Sequence, residues 1–285
     1  MTKIKRVLYI FILQFISSLA SARVWIGYLF GFVVSLKTAY AYCGNAGDRA
    51  IQIFEPVIEN YIKLGNITLM LIGFIIVLSD APFINNRSTL ALYRTSRKQW
   101  YWGMSLYILA HCVLYYVVSA ALVCLFSMKQ AFINNIWSRP MRNLALAPSR
   151  EAMIKWNLAT PARELVERYT PVETVFHTLL LIMLYSLILV LVLFIFNAAF
   201  NKAAGSAVAA GIHVAGFILA LDGFGGISKP WSAIYNSVFM HHSQDYLSLG
   251  HSYLFFAAFI VILLIIGPCV MKRVDFKHST GEEYE

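Results

Sequence analysis

The sequence predicts an all-α polytopic membrane protein with about six transmembrane helices and an N-terminal interfacial helix. Three observations lead there. Of 285 residues, 59% are hydrophobic and only 13% charged, against roughly 25% charged in a soluble domain. The mean hydropathy is +0.67. The apolar residues are gathered into runs long enough to cross a hydrocarbon core of about 30 Å, with the basic residues beside them. The formal charge of +9 therefore reads as loops held at a membrane surface against anionic lipid, not as a nucleic-acid footprint.

The first 22 residues, MTKIKRVLYIFILQFISSLASA, imitate a secretory signal, with a basic start, an apolar core and small residues at the end. A second apolar run follows directly after Arg23. One straight helix over 7–36 would be about 45 Å long at 1.5 Å per residue, well beyond the hydrocarbon core, so the helix must break. Gln14, Ser17, Ser18 and Ser21 share one face. Residues 4–20 accordingly read as a helix lying along the inner surface, with 1–22 a separate N-terminal unit. The alternative is a seventh span, which would move the C-terminus to the other side. The six expected spans are 24–42, 62–79, 100–127, 172–198, 204–222 and 250–271, within a transmembrane domain of residues 23–285. In the Gly- and Ala-rich fifth, Ala204, Ala207, Gly211 and Ala215 place small residues where another helix could approach closely.

Six spans put both termini on one side. Lys3, Lys5, Arg6 and Arg23 precede the first acid, Asp48, which assigns the N-terminus to the cytoplasm of a bacterial plasma membrane. The loop 80–99, with Arg87, Arg94, Arg97 and Lys98 against Asp80, faces the same way, as do Lys202, Lys272, Arg273 and Lys277. The outward segment 128–171 carries Lys129, Arg139, Arg142, Arg150, Lys155, Arg163 and Arg168 against Glu151, Glu164 and Glu167, but long loops weigh little in the charge rule. It reads as a partly helical cap. Ser149 precedes REAMIKWNL, Thr160-Pro161 opens ARELVERY, and Thr170-Pro171-Val172-Glu173 forms a capping box for the fourth span. The stretch 43–61, with Asp48, Glu55 and Glu59, is expected to be helical in part. The segment 223–249 combines turn-forming glycines with aromatics suited to the lipid interface.

Chemistry-bearing motifs are scarce. No GxxxxGK[ST] cradle and no GxGxxG occurs, so no nucleotide is expected on this chain by the usual loops, and no cofactor or metal is assigned. Lys37, Lys63 and Asp222 lie near span ends, where they can reach an interface, and no carboxylate falls at the middle of a span. That argues against a proton-coupled carrier. His111, His177 and His213 read first as hydrogen-bonded packing residues. His241, His242, Asp245 and His251 form a denser outer group, without HExxH order. No GxSxG occurs. Cys43, Cys112, Cys124 and Cys269 show no CxxC spacing and read as small packing residues. What remains is DAPFINNRSTLALYRTSRKQWYWG, residues 80–103: a short basic segment, with Ser88 placed to cap a helix, ending in Trp100, Tyr101 and Trp102. Those aromatics could fix its depth, so that a push from a partner reaches the third span.

The chain resembles the membrane (permease) subunits of type-2 ABC exporters. SSLASARVWIGYLFG is similar to the family's connecting helix and the start of its first span. LIGFIIVLSDAPF is similar to the end of the second, and YRTSRKQWYWGMSLYILAHCVLYYVV to the exit of the coupling helix and the third span. The resemblance implies a pair of permease subunits, identical or mixed, docked on a separate ATPase that holds ATP and Mg and does the hydrolysis; this chain would not itself be an enzyme. It further implies that Phe83, Arg87, Leu90, Tyr93, Arg94, Arg97 and Lys98 lie on the ATPase-coupling segment. The outer segment 128–171 is longer than the short hairpin typical of the family. Two other readings stand beside it: an intramembrane enzyme using the outer histidines, and a non-transporting sensor with the 128–171 cap as its receptor.

Overall fold

A computed structural model describes residues 2–79, 81, 95–220, 228–244 and 247–272. The chain is almost entirely helical. Helix α1 (Lys3–Leu19) is followed after a two-residue break by α2 (Ala22–Ala46). Then come α3 (Glu55–Ile62), α4 (Leu64–Leu78), α5 (Arg97–Ser127), the short cap helices α6 (Arg139–Leu146), α7 (Arg150–Ile154) and α8 (Arg163–Arg168), and the long α9 (Pro171–Ala199). After α10 (Lys202–Ala220) the chain forms a 3-10 turn, α11 (Ala233–Ser237) and α12 (Phe239–Ser243), and ends in α13 (Leu249–Met271). Five of these helices are long and apolar enough to cross a membrane: α2, α5, α9, α10 and α13. A sixth crossing is counted if α3 and α4, bent by 93° at Lys63, are taken together.

The second span is where the expected boundaries move most. At 15 residues, α4 covers only about 22 Å. The continuous helix expected over 62–79 instead turns sharply at Lys63, whose backbone is extended, and α3 lies across the end of the bundle outside α4. Every residue of α3 is buried: it packs against α2, α5 and α9, and the 128–171 segment closes on it through Ser138 and Ala159. Two-residue strands β1 (Ile51–Gln52) and β2 (Ala131–Phe132) pair in parallel, Ile51 opposite Ala131, and tie the two outer loops together. In the cap, the helix expected to open at Thr160-Pro161 starts later, at Arg163 with Ala162 as its N-cap. Ser149 Oγ accepts from Ala152 N at 3.1 Å, but the helix it caps ends at Ile154, short of the expected REAMIKWNL; of the expected Thr170–Glu173 capping box one half forms, Thr170 Oγ1 accepting from Glu173 N at 3.4 Å. A further helix, α6, capped by Ser138 Oγ, had no counterpart in the sequence reading.

Helices α2 and α4 cross at glycines. A Cβ on Gly27 would sit 2.7 Å from the Gly73 carbonyl oxygen and 2.6 Å from Val77. The phenol of Tyr115 fills the space that Gly31 and Gly73 leave open and donates to the Met70 carbonyl at 2.9 Å. On α10 the packed face holds Gly205, Ala209 and Gly216. The expected stripe of Ala207, Gly211 and Ala215 faces outward, and Ala204 is half-buried. A helix this rich in small residues carries two such stripes, and its composition does not say which one turns inward.

Helix α1 packs lengthwise against the first half of α5, in parallel and in step. Gly103 receives Ile10, since a Cβ added there would sit 2.7 Å from the Ile10 side chain, and eight residues further along both helices the Ser18 hydroxyl meets His111 Nε2 at 3.0 Å. Tyr28 of α2 meets Nδ1 of the same ring at 3.0 Å, so His111 pins the α1–α2 break to α5. Arg23 lies beside Tyr107, roughly 15 Å along α5 from Arg97, and so stands apart from the basic residues at the start of α1.

Candidate functional site

The bundle has two chemically different ends. At the basic end the start of α1 with Lys3, Lys5 and Arg6, the start of α5 with Arg97 and Lys98, and the end of α13 with Lys272 come together. The end of α4 joins them: Asn197, near the end of α9, donates from Nδ2 to the carbonyls of Ser79 and Ala81 at 3.1 and 2.7 Å. The start of α5 is fixed in three ways. Ser96 and Gln99 form a reciprocal capping box, written in the sequence as S-x-x-Q. The Arg97 guanidinium donates to the Lys272 carbonyl at 2.6 Å and to Met271 at 3.4 Å, satisfying carbonyls that the end of α13 leaves open. Finally, Trp100 and Tyr101 pack on Phe194, and the Tyr101 hydroxyl donates to the Leu263 carbonyl at 3.0 Å.

Of the residues the sequence singles out for coupling, Phe83, Arg87, Leu90, Tyr93 and Arg94 lie outside the described residues, as do Ser88, Asp80 and Asp222. Arg97 and Lys98 are described. Arg97 is engaged by α13, while Lys98 is exposed and borders a groove against α1.

At the other end, polar groups are enclosed. The Glu55 carboxylate accepts from Ser138 N (2.7 Å), Ser138 Oγ (2.6 Å), Gln52 N (3.0 Å) and the Tyr42 hydroxyl (3.0 Å). One side chain thus joins α2, α3, the β1 strand and the cap. Burial raises the Glu55 pKa, and the Ser138, Gln52 and Tyr42 donors hold the rise back. One turn on, Glu59 accepts from Ala159 N of the cap, with the Lys63 ammonium 3.9 Å away. Burial drives its pKa up to about 8, against the smaller opposing pulls of Ala159 and Lys63. Below it a seam of neutral polar groups runs between α2, α3 and α4. Asn60 Oδ1 accepts from Thr38 at 3.0 Å and from Asn66 at 3.3 Å, and Asn60 Nδ2 reaches Ser35 at 3.4 Å. Deeper, His213 sits between Thr68 (3.0 Å) and the Tyr185 hydroxyl (2.7 Å). The sequence offered one signal for the carboxylate pair, two acids four apart inside the apolar run IFEPVIENYI.

The outer histidines are spent on local structure. His241 Nδ1 faces the Tyr235 carbonyl at 3.0 Å, and its ring stacks on Tyr235 at 3.8 Å. Burial takes its pKa down to about 4. His242 faces the Leu247 carbonyl at 3.0 Å and the Asn236 carbonyl at 3.2 Å, and burial lowers its pKa against the pull of both. His251 faces the Pro230 carbonyl, and His177 meets the Tyr253 hydroxyl at 2.6 Å. Among the described residues no three His, Cys, Asp or Glu side chains converge as metal ligands; Asp245 is outside them. No acid lies in the middle of any described span.

No family model matches the chain, and neither a curated protein nor a solved structure does.

Proposed function

We propose that the chain is the membrane subunit of an ATP-driven exporter of the type-2 ABC kind. It would pair with a second permease subunit and move a peptide, antibiotic, lipid or similar cargo across a bacterial plasma membrane. ATP and Mg belong to the partner ATPase, and both termini of this chain face the cytoplasm. The observation that carries this reading is the mechanical arrangement at the basic end. Residues 82–94 connect the end of α4 to the start of α5, and the start of α5 is fastened to α13 through Arg97 and to α1 through the Ile10–Gly103 contact. Force applied to 82–94 therefore reaches α4, α5, α1 and α13 together, as a lever needs if it is to turn a partner's closure into rigid-body motion of helices. The neutral interior supports the same reading, since a chain driven by another subunit's hydrolysis requires no ion relay of its own. The exporter reading is preferred to the intramembrane-enzyme reading because His241, His242 and His251 each face a backbone carbonyl.

The test is purification from the native membrane. Wild-type protein carries a stoichiometric P-loop ATPase, and Arg87→Glu combined with Arg94→Glu lowers the ATPase recovered by about tenfold or more while the chain stays in the membrane. The reading is sunk if no ATPase accompanies the wild type, or if the thiol of an Arg94→Cys variant is labelled from outside intact cells.

A further inference from the structure

The groove beside Lys98 carries a binding proposal that does not depend on the exporter reading. Its walls are Ile4, Val7 and Leu8 of α1 and Trp102 and Leu106 of α5. At its mouth stand Lys3 and Lys98, with Ser96 and Gln99 between them. Among the described residues no acid lines it, and none occurs in the chain before Asp48. The two hydrogen-bonding side chains, Ser96 and Gln99, already satisfy each other's backbone in the capping box, so the polar chemistry left to a ligand is that of two ammonium groups. Beyond the mouth, the α1 wall continues as an exposed apolar stripe: Ile4, Leu8, Ile12, Ile16 and Leu19 recur every three or four residues, with Ile4 73% exposed. On the α5 side, Trp102 is 43% exposed and Leu106 37%.

This is an amphiphile's complement, two positive charges at the end of a long apolar trough. We infer that the groove between α1 and α5 binds one anionic phospholipid, its phosphate between Lys3 and Lys98 and an acyl chain lying along α1. A second protein helix would cover the stripe as well, but it would bring no negative group to the paired lysines unless it carried an acid there. A soluble anion would leave the trough empty. The site also accounts for Lys98, which faces the groove while its neighbour Arg97 faces α13.

The test uses the full chain in phosphatidylcholine nanodiscs doped with brominated phosphatidylglycerol or, separately, brominated phosphatidylcholine. Quenching of Trp102 is taken as the difference between wild type and Trp102→Phe. Two lysines near the headgroup should favour the anionic lipid by about tenfold. Lys3→Gln with Lys98→Gln should bring the two lipids level, and Lys3→Arg with Lys98→Arg should keep the preference, so a folding defect in the first variant cannot pass for the effect. Equal quenching by both lipids in the wild type overturns the proposal. So does a preference that survives the glutamine pair, or its loss when inorganic phosphate replaces chloride at constant ionic strength, which would mark a simple anion site. Absence of quenching by either lipid would show protein covering the stripe and would overturn it too.

Discussion

The cap end and the basic end of this molecule solve the same problem, how to finish a helix bundle, in opposite ways. At the cap end one carboxylate gathers four donors from three regions of the chain, and the loops are paired by a short parallel ladder. The polar groups there are enclosed, so each lost partner leaves a buried donor or acceptor unsatisfied. At the basic end the charged members of the described ties are exposed. Arg97 is an exposed side chain on two carbonyls, and Lys98 is an exposed side chain at a groove. The lesson is one of stiffness: enclosed ties are expected to open less readily than ties that water can replace.

Glu55→Ala strikes hardest at that contrast. It removes the acceptor of four hydrogen bonds in a site closed to water, so the expected loss is about 3–5 kcal/mol, with the cap protected least. Thermal unfolding in detergent together with hydrogen exchange over 128–171 measures it. A loss no larger than that of a surface substitution would show that the cap is held by packing alone.

Glu59 gives a pH-dependent effect, and its sign is fixed. The pKa in the folded state is about 8, against an ordinary value of 4.5, so between those values the folded form holds more protons than the unfolded form. Stability due to this group therefore falls as pH rises from about 5 to 8, by at most about 1.4 kcal/mol per pH unit, and levels off above. Glu59→Gln should flatten that slope. Melting curves of wild type and variant across the window decide it, and a parallel slope in both removes Glu59 from the account.

Arg97→Ala should do least to global stability, within about 0.5 kcal/mol, as for a surface substitution. The end of α13 should nonetheless exchange its last amides faster, because the Met271 and Lys272 carbonyls lose their donor. If Arg97→Ala costs as much as Glu55→Ala, the two ends are equally rigid and the comparison fails.

The polytopic helical class and most span limits were legible because apolar runs of about 20 residues have one use in a chain this poor in charge. The expected limits of the third, fourth and sixth spans lie within a few residues of α5, α9 and α13. The second span was legible only as an apolar run. Its turn at Lys63 was not, since α3 is buried against α2, α5 and α9 and its Glu59 meets Ala159, 100 positions later, contacts that no local pattern announces. The candidate coupling segment was legible as basic residues interrupting apolar ones, whereas the tie from Arg97 to α13 was not, since it joins positions 174 and 175 apart. The histidines of 241–251 drew attention by crowding in sequence, although both ring nitrogens of His242 and one each of His241 and His251 face carbonyls that only the fold brings to them.

By itself the sequence determined that this chain belongs in a membrane, which runs are apolar enough to cross it, and where its charge gathers, because hydrophobic transfer and charge cost act residue by residue along the chain. Tertiary structure alone decided which stripe of α10 turns inward, that α1 runs in step with α5, and that Glu55 and Glu59 are sealed beneath a cap. These are choices between surfaces of equal local merit, and they are settled only by the distant surface each one meets.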